Sequence, residues 1–263
     1  MNRITNTFDE LKSNDKKALI AFITGGDPDI ETTEKLVLAM EEAGVDLIEI
    51  GIPFSDPVAE GPVIQEADVR ALAGGCTVDK LFDMVKRLRK KTNIPLLFMT
   101  YANPIYAYDK ERFMANCKEV GIDGIIVPDV PFEEKDEFED ECNRYDICLI
   151  SLIAPTSGER VEKIALEAKG FLYCVSSLGV TGTRSDINTN IAELINQVKK
   201  VSSIPCAVGF GISTPEQARD MASISDGIIV GSAIVKLVAE FGRDSVSHVK
   251  SFVSKMKNGE HRN

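Results

Sequence analysis

Val45-Asp46-Leu47-Ile48-Glu49-Ile50-Gly51-Ile52-Pro53 is a short, β-branched apolar run that closes on glycine and proline. A run of this length with turn residues behind it reads as a strand buried on both faces, as in a parallel sheet. The loop Phe54-Ser55-Asp56-Pro57-Val58-Ala59-Glu60-Gly61-Pro62 follows at once. Comparable runs recur along the chain, each followed by a turn and a charged amphipathic segment, which is the pattern of repeated strand–helix units. Together with Leu47 to Ile50 they are Ala18 to Ile23, Pro95 to Met99, Gly124 to Val127, Cys148 to Leu152, Phe171 to Val175, Cys206 to Val208 and Gly227 to Val230. The segments between them place apolar residues three and four apart, as in Val78-Asp79-Lys80-Leu81-Phe82-Asp83-Met84-Val85-Lys86-Arg87-Leu88, the spacing of a helix with one buried face.

Eight such units in 263 residues fit a (β/α)8 TIM barrel, with a doubly wound open sheet as the competing layout. The barrel is preferred because the count is eight and no G-x-G-x-x-G fingerprint follows the first run. The amphipathic segment Asn2 to Lys12 precedes the first strand and is expected to form an extra N-terminal helix that plugs the barrel's N-terminal end. With no Gly/Ser-rich linker or low-complexity tract in the sequence, residues 1–263 are expected to form a single barrel domain. Chemistry in such a barrel sits where the strands end and the strand-to-helix loops begin.

Glu49 is the oddity of the second run. A buried carboxyl without a cation has its pKa raised by desolvation, which suits a general acid or base near neutrality. The competing reading is a structural glutamate satisfied by backbone donors or by an arginine from elsewhere. Asp56 and Glu60 in the following loop bring up to three carboxylates to one strand end; for these two, turn chemistry and simple solvation stand equally open. Glycine-bearing segments follow the last three runs: Leu178-Gly179-Val180-Thr181-Gly182-Thr183, Gly209-Phe210-Gly211-Ile212-Ser213 and Gly231-Ser232-Ala233. Glycine lets backbone N–H groups approach an anion, and a helix starting at Gly231-Ser232 would turn its positive end inward. Loops after consecutive final strands are where barrels often bind phosphate. Phe22, Tyr101, Tyr173 and Phe210 also fall at strand ends, as core packing or as the walls of a flat apolar pocket.

Composition narrows the function. With 41 acidic against 30 basic residues the net charge is -11, which repels a phosphate backbone and argues against nucleic-acid binding. Six cysteines without a C-x-x-C pair read as reduced thiols. No apolar run suits a signal peptide or a membrane span, so a cytoplasmic protein is expected. The two histidines, His248 and His261, lie off every strand end, so a histidine-built metal site is not expected. No lysine lies in or at the end of the eight runs, which argues against a Schiff base. Carboxylate acid–base chemistry on a phosphorylated substrate remains.

The segments Ala21-Phe22-Ile23-Thr24-Gly25-Gly26-Asp27-Pro28, Glu49-Ile50-Gly51-Ile52-Pro53-Phe54-Ser55-Asp56-Pro57 and Gly61-Pro62-Val63-Ile64-Gln65 carry a resemblance, as do Tyr101-Ala102-Asn103-Pro104, Val127-Pro128-Asp129-Val130-Pro131, Gly179-Val180-Thr181-Gly182, Gly209-Phe210-Gly211-Ile212 and Val230-Gly231-Ser232-Ala233. The chain resembles the tryptophan synthase alpha subunit family along nearly its whole length. That resemblance implies retro-aldol cleavage of indole-3-glycerol phosphate to indole and glyceraldehyde 3-phosphate, without a metal or a cofactor in this chain. It implies Glu49 and Glu60 as catalytic residues, although the family usually carries aspartate where Glu60 stands. It further implies Phe22, Tyr101, Ile126, Tyr173, Thr181 and Phe210 around the substrate, Gly182, Gly211, Gly231 and Ser232 on the phosphate, and a lid over residues 179–190. The implied partner is a beta subunit carrying pyridoxal phosphate in an alpha2beta2 heterotetramer, met in part through Asp56. A stand-alone indole-releasing lyase and a non-catalytic regulatory barrel are the alternatives.

Overall fold

The computed structural model describes residues 2–175, 184–209 and 211–260, excluding the side chains of 184–189 and 258–260. Its strands are Ala18–Thr24, Leu47–Gly51, Leu96–Met99, Gly124–Ile126, a fifth in two pieces (Cys148–Leu149 and Ser151–Ile153), Leu172–Val175, Cys206–Gly209 and Gly227–Val230. All neighbours pair in parallel. The hydrogen-bonded order runs from Cys148–Leu149 back through the first four strands to the eighth, seventh and sixth, and ends at Ser151–Ile153. Both ends of that order belong to the fifth strand, so the sheet closes on itself as an eight-stranded barrel. Ile150 stands between the pieces and donates its N–H to the Ile125 carbonyl at 2.9 Å.

Strand identity follows the expected runs to within a residue or two. Pro95, expected to open the third strand, stands just outside it; lacking an N–H, proline cannot join the ladder as a donor. Helices cover the outside. In Val78–Leu88 the Thr77 hydroxyl accepts from the Lys80 N–H, and Leu81, Phe82, Met84, Val85 and Leu88 are buried, so the three-and-four spacing is the packed stripe. Residues 184–190, read as part of a loop, instead open helix Arg184–Val201. Ile187 stands four residues before Ile191, continuing the apolar spacing of that helix, a signal that the polar residues around it conceal. Residues 179–183 of the expected lid lie outside the described residues.

The barrel interior is filled from below. Helix Arg3–Ser13 buries Ile4, Phe8 and Leu11 against inward residues of the strands, among them Ile20, Leu47, Leu97, Ile150 and Phe171. Phe8 and Phe171 rings lie 5.6 Å apart. The N-terminal plug expected from Asn2 to Lys12 is therefore present.

At this end of the barrel every strand-end carboxylate has a partner. Asp46 accepts from the Leu19 N–H at 2.7 Å and from Lys257 at 2.6 Å. Asp226 accepts from the Cys206 N–H at 2.8 Å and from Lys199 at 2.7 Å. Asp123, almost fully buried, takes Arg3, Arg89 and the Leu96 N–H at 2.8, 2.8 and 2.9 Å. Each clamps the entry of a neighbouring strand while a cation offsets its charge. All six cysteines are free thiols, five buried and Cys148 partly so. No helix among the described residues is long and apolar enough to cross a membrane.

Candidate active site

Glu49 lies on the inward face of the second strand, in register with Phe22 of the first and Leu97 of the third. The alternation that sends Leu47 into the interior sends Glu49 there too, one layer higher. It is 0% exposed. Neither carboxyl oxygen has a hydrogen-bond partner among the described residues. Burial alone raises its pKa from 4.5 to about 8. The contrast with Asp46, Asp123 and Asp226 is chemical: the carboxylates that hold the frame are paired, and Glu49 is unpaired among the described residues. Buried groups without partners cost stability and concentrate where chemistry is done.

Above Glu49 the strand ends open on a cavity of about 340 Å³ lined by Phe22, Glu60, Met99, Tyr173, Gly231 and Lys236, among others. Glycines make the space its aromatic walls occupy. A Cβ on Gly51 would stand 2.7 Å from Phe22 Cζ, and one on Gly209 would stand 2.5 Å from the Tyr173 hydroxyl. Tyr173 feels the charge of Glu49, and burial holds its hydroxyl far above its ordinary pKa. Glu60 is half-buried on the loop after the second strand, its pKa raised chiefly by burial. The Tyr101 hydroxyl accepts from the Ala59 N–H at 3.2 Å and stands within reach of Glu60. The Phe54 and Tyr101 rings, 5.4 Å apart, pack the base of that loop.

Gly211, Gly231 and Ser232 line the same cavity. Helix Ser232–Phe241 starts where expected, and Ser232 at its start lines the cavity; the first N–H groups of a helix have no partner within it and can donate to an anion. Gly211 has φ +79°, a conformation that favours glycine.

The expected residues thus divide by position. Phe22, Glu60, Tyr173, Gly211, Gly231 and Ser232 line the cavity, and Glu49 and Tyr101 are buried beside it. Ile126 is fully buried in the packed layer with Leu97 and Ile150. Asp56 is exposed on the loop, where Ser55 donates to it. Thr181, Gly182 and Phe210 lie outside the described residues. His248 is remote from the strand ends, stacked on Phe241 at 3.7 Å between centroids. Lys236 on the cavity wall and Asp68 behind it were not among the residues expected from the sequence. Asp68 in helix Pro62–Ala73 is 3% exposed and close enough to Glu60 for a hydrogen bond. Its spacing was informative, four after Ile64 and three before Ala71, on the face that the helix buries.

The sequence profile described as tryptophan synthase alpha chain matches residues 8–262. This chain belongs to that family. The alpha chain of Caldanaerobacter subterraneus subsp. tengcongensis is 50% identical over 98% of this chain and 99% of its own length. Among solved structures, tryptophan synthase subunit alpha from Legionella pneumophila superposes with a TM-score of 0.90 at 38% identity, covering 99% of this chain and 98% of that one. A chain of the tryptophan synthase complex from Pyrococcus furiosus gives 0.83 at 35% identity, covering 92% and 98%. The chain is accordingly a lyase of tryptophan biosynthesis that cleaves indole-3-glycerol phosphate to indole and glyceraldehyde 3-phosphate.

Proposed function

We propose that Glu49 is the proton shuttle of this cleavage and Glu60 the carboxylate that steadies the indole nitrogen. The observation that carries the proposal is the buried, unpartnered Glu49 carboxyl beside the cavity. With its pKa near 8 the group enters the reaction protonated at neutral pH. It gives that proton to C3 of the indole, which makes the ring an electron sink. The resulting carboxylate takes the proton of the glycerol hydroxyl as the carbon–carbon bond breaks; the bonding pair returns to the ring and the hydroxyl carbon becomes the aldehyde. Glu49 ends as it began, and one residue serves as acid and then base. Glu60 accepts from the indole N–H while positive charge develops there. Phe22, Tyr101 and Tyr173 confine the ring, with Ile126 beneath, while Gly211, Gly231 and Ser232 hold the phosphate with the helix N-terminus. Thr181, Gly182 and Phe210 complete these two groups.

Residues 1–263 serve as one barrel domain, in the cytoplasm, paired with a beta subunit in an alpha2beta2 assembly; that the similar Pyrococcus furiosus chain belongs to a tryptophan synthase complex supports the pairing. Pyridoxal phosphate belongs to that partner. The loop carrying Asp56 is the contact on this side, with Val58 beside it 78% exposed.

The test separates Glu60 from the phosphate site. Glu60→Gln slows indole formation by about two orders of magnitude, the scale of losing one transition-state contact, and leaves glyceraldehyde 3-phosphate binding unchanged. Near-normal turnover in that variant would make Glu60 a bystander.

A further inference from the structure

Among the described residues, three carboxyl groups outside the frame contacts are almost fully buried: Asp27, Glu49 and Asp68. Asp27 has a bidentate partner in Arg70, at 2.9 and 2.8 Å, so the nearest arginine on the Asp68 helix is already committed. Among the described residues, Asp68 and Glu60 have no such bidentate partner. Asp68 Oδ2 and Glu60 Oε2 are both buried without a hydrogen-bond donor among the described residues. Yet the two carboxyl groups stand within hydrogen-bonding reach of each other. Two carboxylates only accept, so a contact between them holds together only when one carries a proton. The groups around the pair are the Phe54 N–H on Asp68, the more distant Asp27 charge, and the Tyr101 hydroxyl on Glu60. None of these is a cation; among the described residues Lys236, on the helix packed against Pro62–Ala73, is the cation that lines the same cavity as Glu60. Glu60 lines the cavity, whereas Asp68 stands behind it on helix Pro62–Ala73.

We propose that Asp68 is a positioning residue for Glu60: the two carboxyls share one proton, held on Asp68 and donated to Glu60, which presents the pair's single negative charge to the cavity. This deepens the assignment of Glu60 given above and rests on it. The arrangement answers the extra methylene of Glu60, since a donor fixed in a helix pins the longer side chain. Burial and the Glu60 charge raise Asp68 to about 8, so the shared proton is retained at neutral pH. Above that value the pair becomes a dianion whose members repel.

The experiment uses the full chain, first in a Glu49→Gln background that removes the other raised carboxyl. Infrared spectroscopy across pH then shows a protonated-carboxyl C=O band at pH 7 that titrates near 8, and adding Asp68→Asn removes it. A spectrum without that band, or a band that survives Asp68→Asn, overturns the proposal. In the parent background, Asp68→Asn keeps a donor and holds indole formation within about threefold, whereas Asp68→Ala lowers kcat by about tenfold or more, the scale of a misplaced catalytic group. Glyceraldehyde 3-phosphate binding stays unchanged in both. Equal activity of the Asn and Ala variants counts against positioning. If Glu60→Gln turns over normally, the assignment of Glu60 fails while the infrared result still decides the shared proton.

Discussion

At the scale of single residues, Glu49 sets stability against chemistry. Its pKa lies near 4.5 in the unfolded chain and is raised to about 8 by burial in the folded one. Between those values the unfolded state has released its proton and the folded state retains it. The free energy of unfolding therefore falls as pH rises, by up to about 1.4 kcal/mol per pH unit. The stability is complete below the lower value and is lost as pH climbs to the upper one. Glu49→Gln has no such titration. It is expected to unfold at higher denaturant than the parent at pH 7, with a margin that widens from pH 5 to 8, measured by urea denaturation at several pH values. A margin that is flat with pH contradicts the raised pKa. The carboxylates of the N-terminal end need no such concession, because Lys257, Lys199, Arg3 and Arg89 meet them.

At the scale of elements, the strand ends owe their shape to glycine. Gly209→Ala puts a Cβ within 2.6 Å of the Tyr173 ring, so the ring must leave its place on the cavity wall. The expected result is a higher KM for indole-3-glycerol phosphate and a stability loss of about 1–3 kcal/mol, as for other overpacked cores; an unchanged KM would mean that Tyr173 does not bound the substrate. Most strands were legible in the sequence because they are buried on both faces, leaving a largely apolar run. Glu49 was legible as a charge within such a run, and the cavity-lining glycines Gly211 and Gly231 by their place after successive late strands. Asp68 was passed over because charged residues are ordinary in helices, and only its spacing from Ile64 and Ala71 marks it as buried. The start of helix Arg184–Val201 was hidden for the opposite reason, its polar residues masking the Ile187 to Ile191 spacing.

At the scale of the whole molecule the barrel is two-ended. Its lower end is plugged by Ile4, Phe8 and Leu11 and clamped by partnered aspartates. Its upper end gathers an unpartnered glutamate, a carboxyl pair, aromatic walls and a helix N-terminus around one cavity. The division follows from the fold, because parallel strands deliver all their C-terminal ends to the same mouth. Stability and chemistry are thereby built from different ends of the same strands. The most direct measurement is indole formation from indole-3-glycerol phosphate by the parent chain and by Glu49→Gln, each alone and with a beta subunit, followed by indole fluorescence against a chain that contains no tryptophan. The account predicts that the beta subunit raises turnover of the parent, and that Glu49→Gln is slower by about 10²- to 10⁴-fold in both settings, the range for losing a general acid–base group. Turnover of Glu49→Gln within a few-fold of the parent would contradict it.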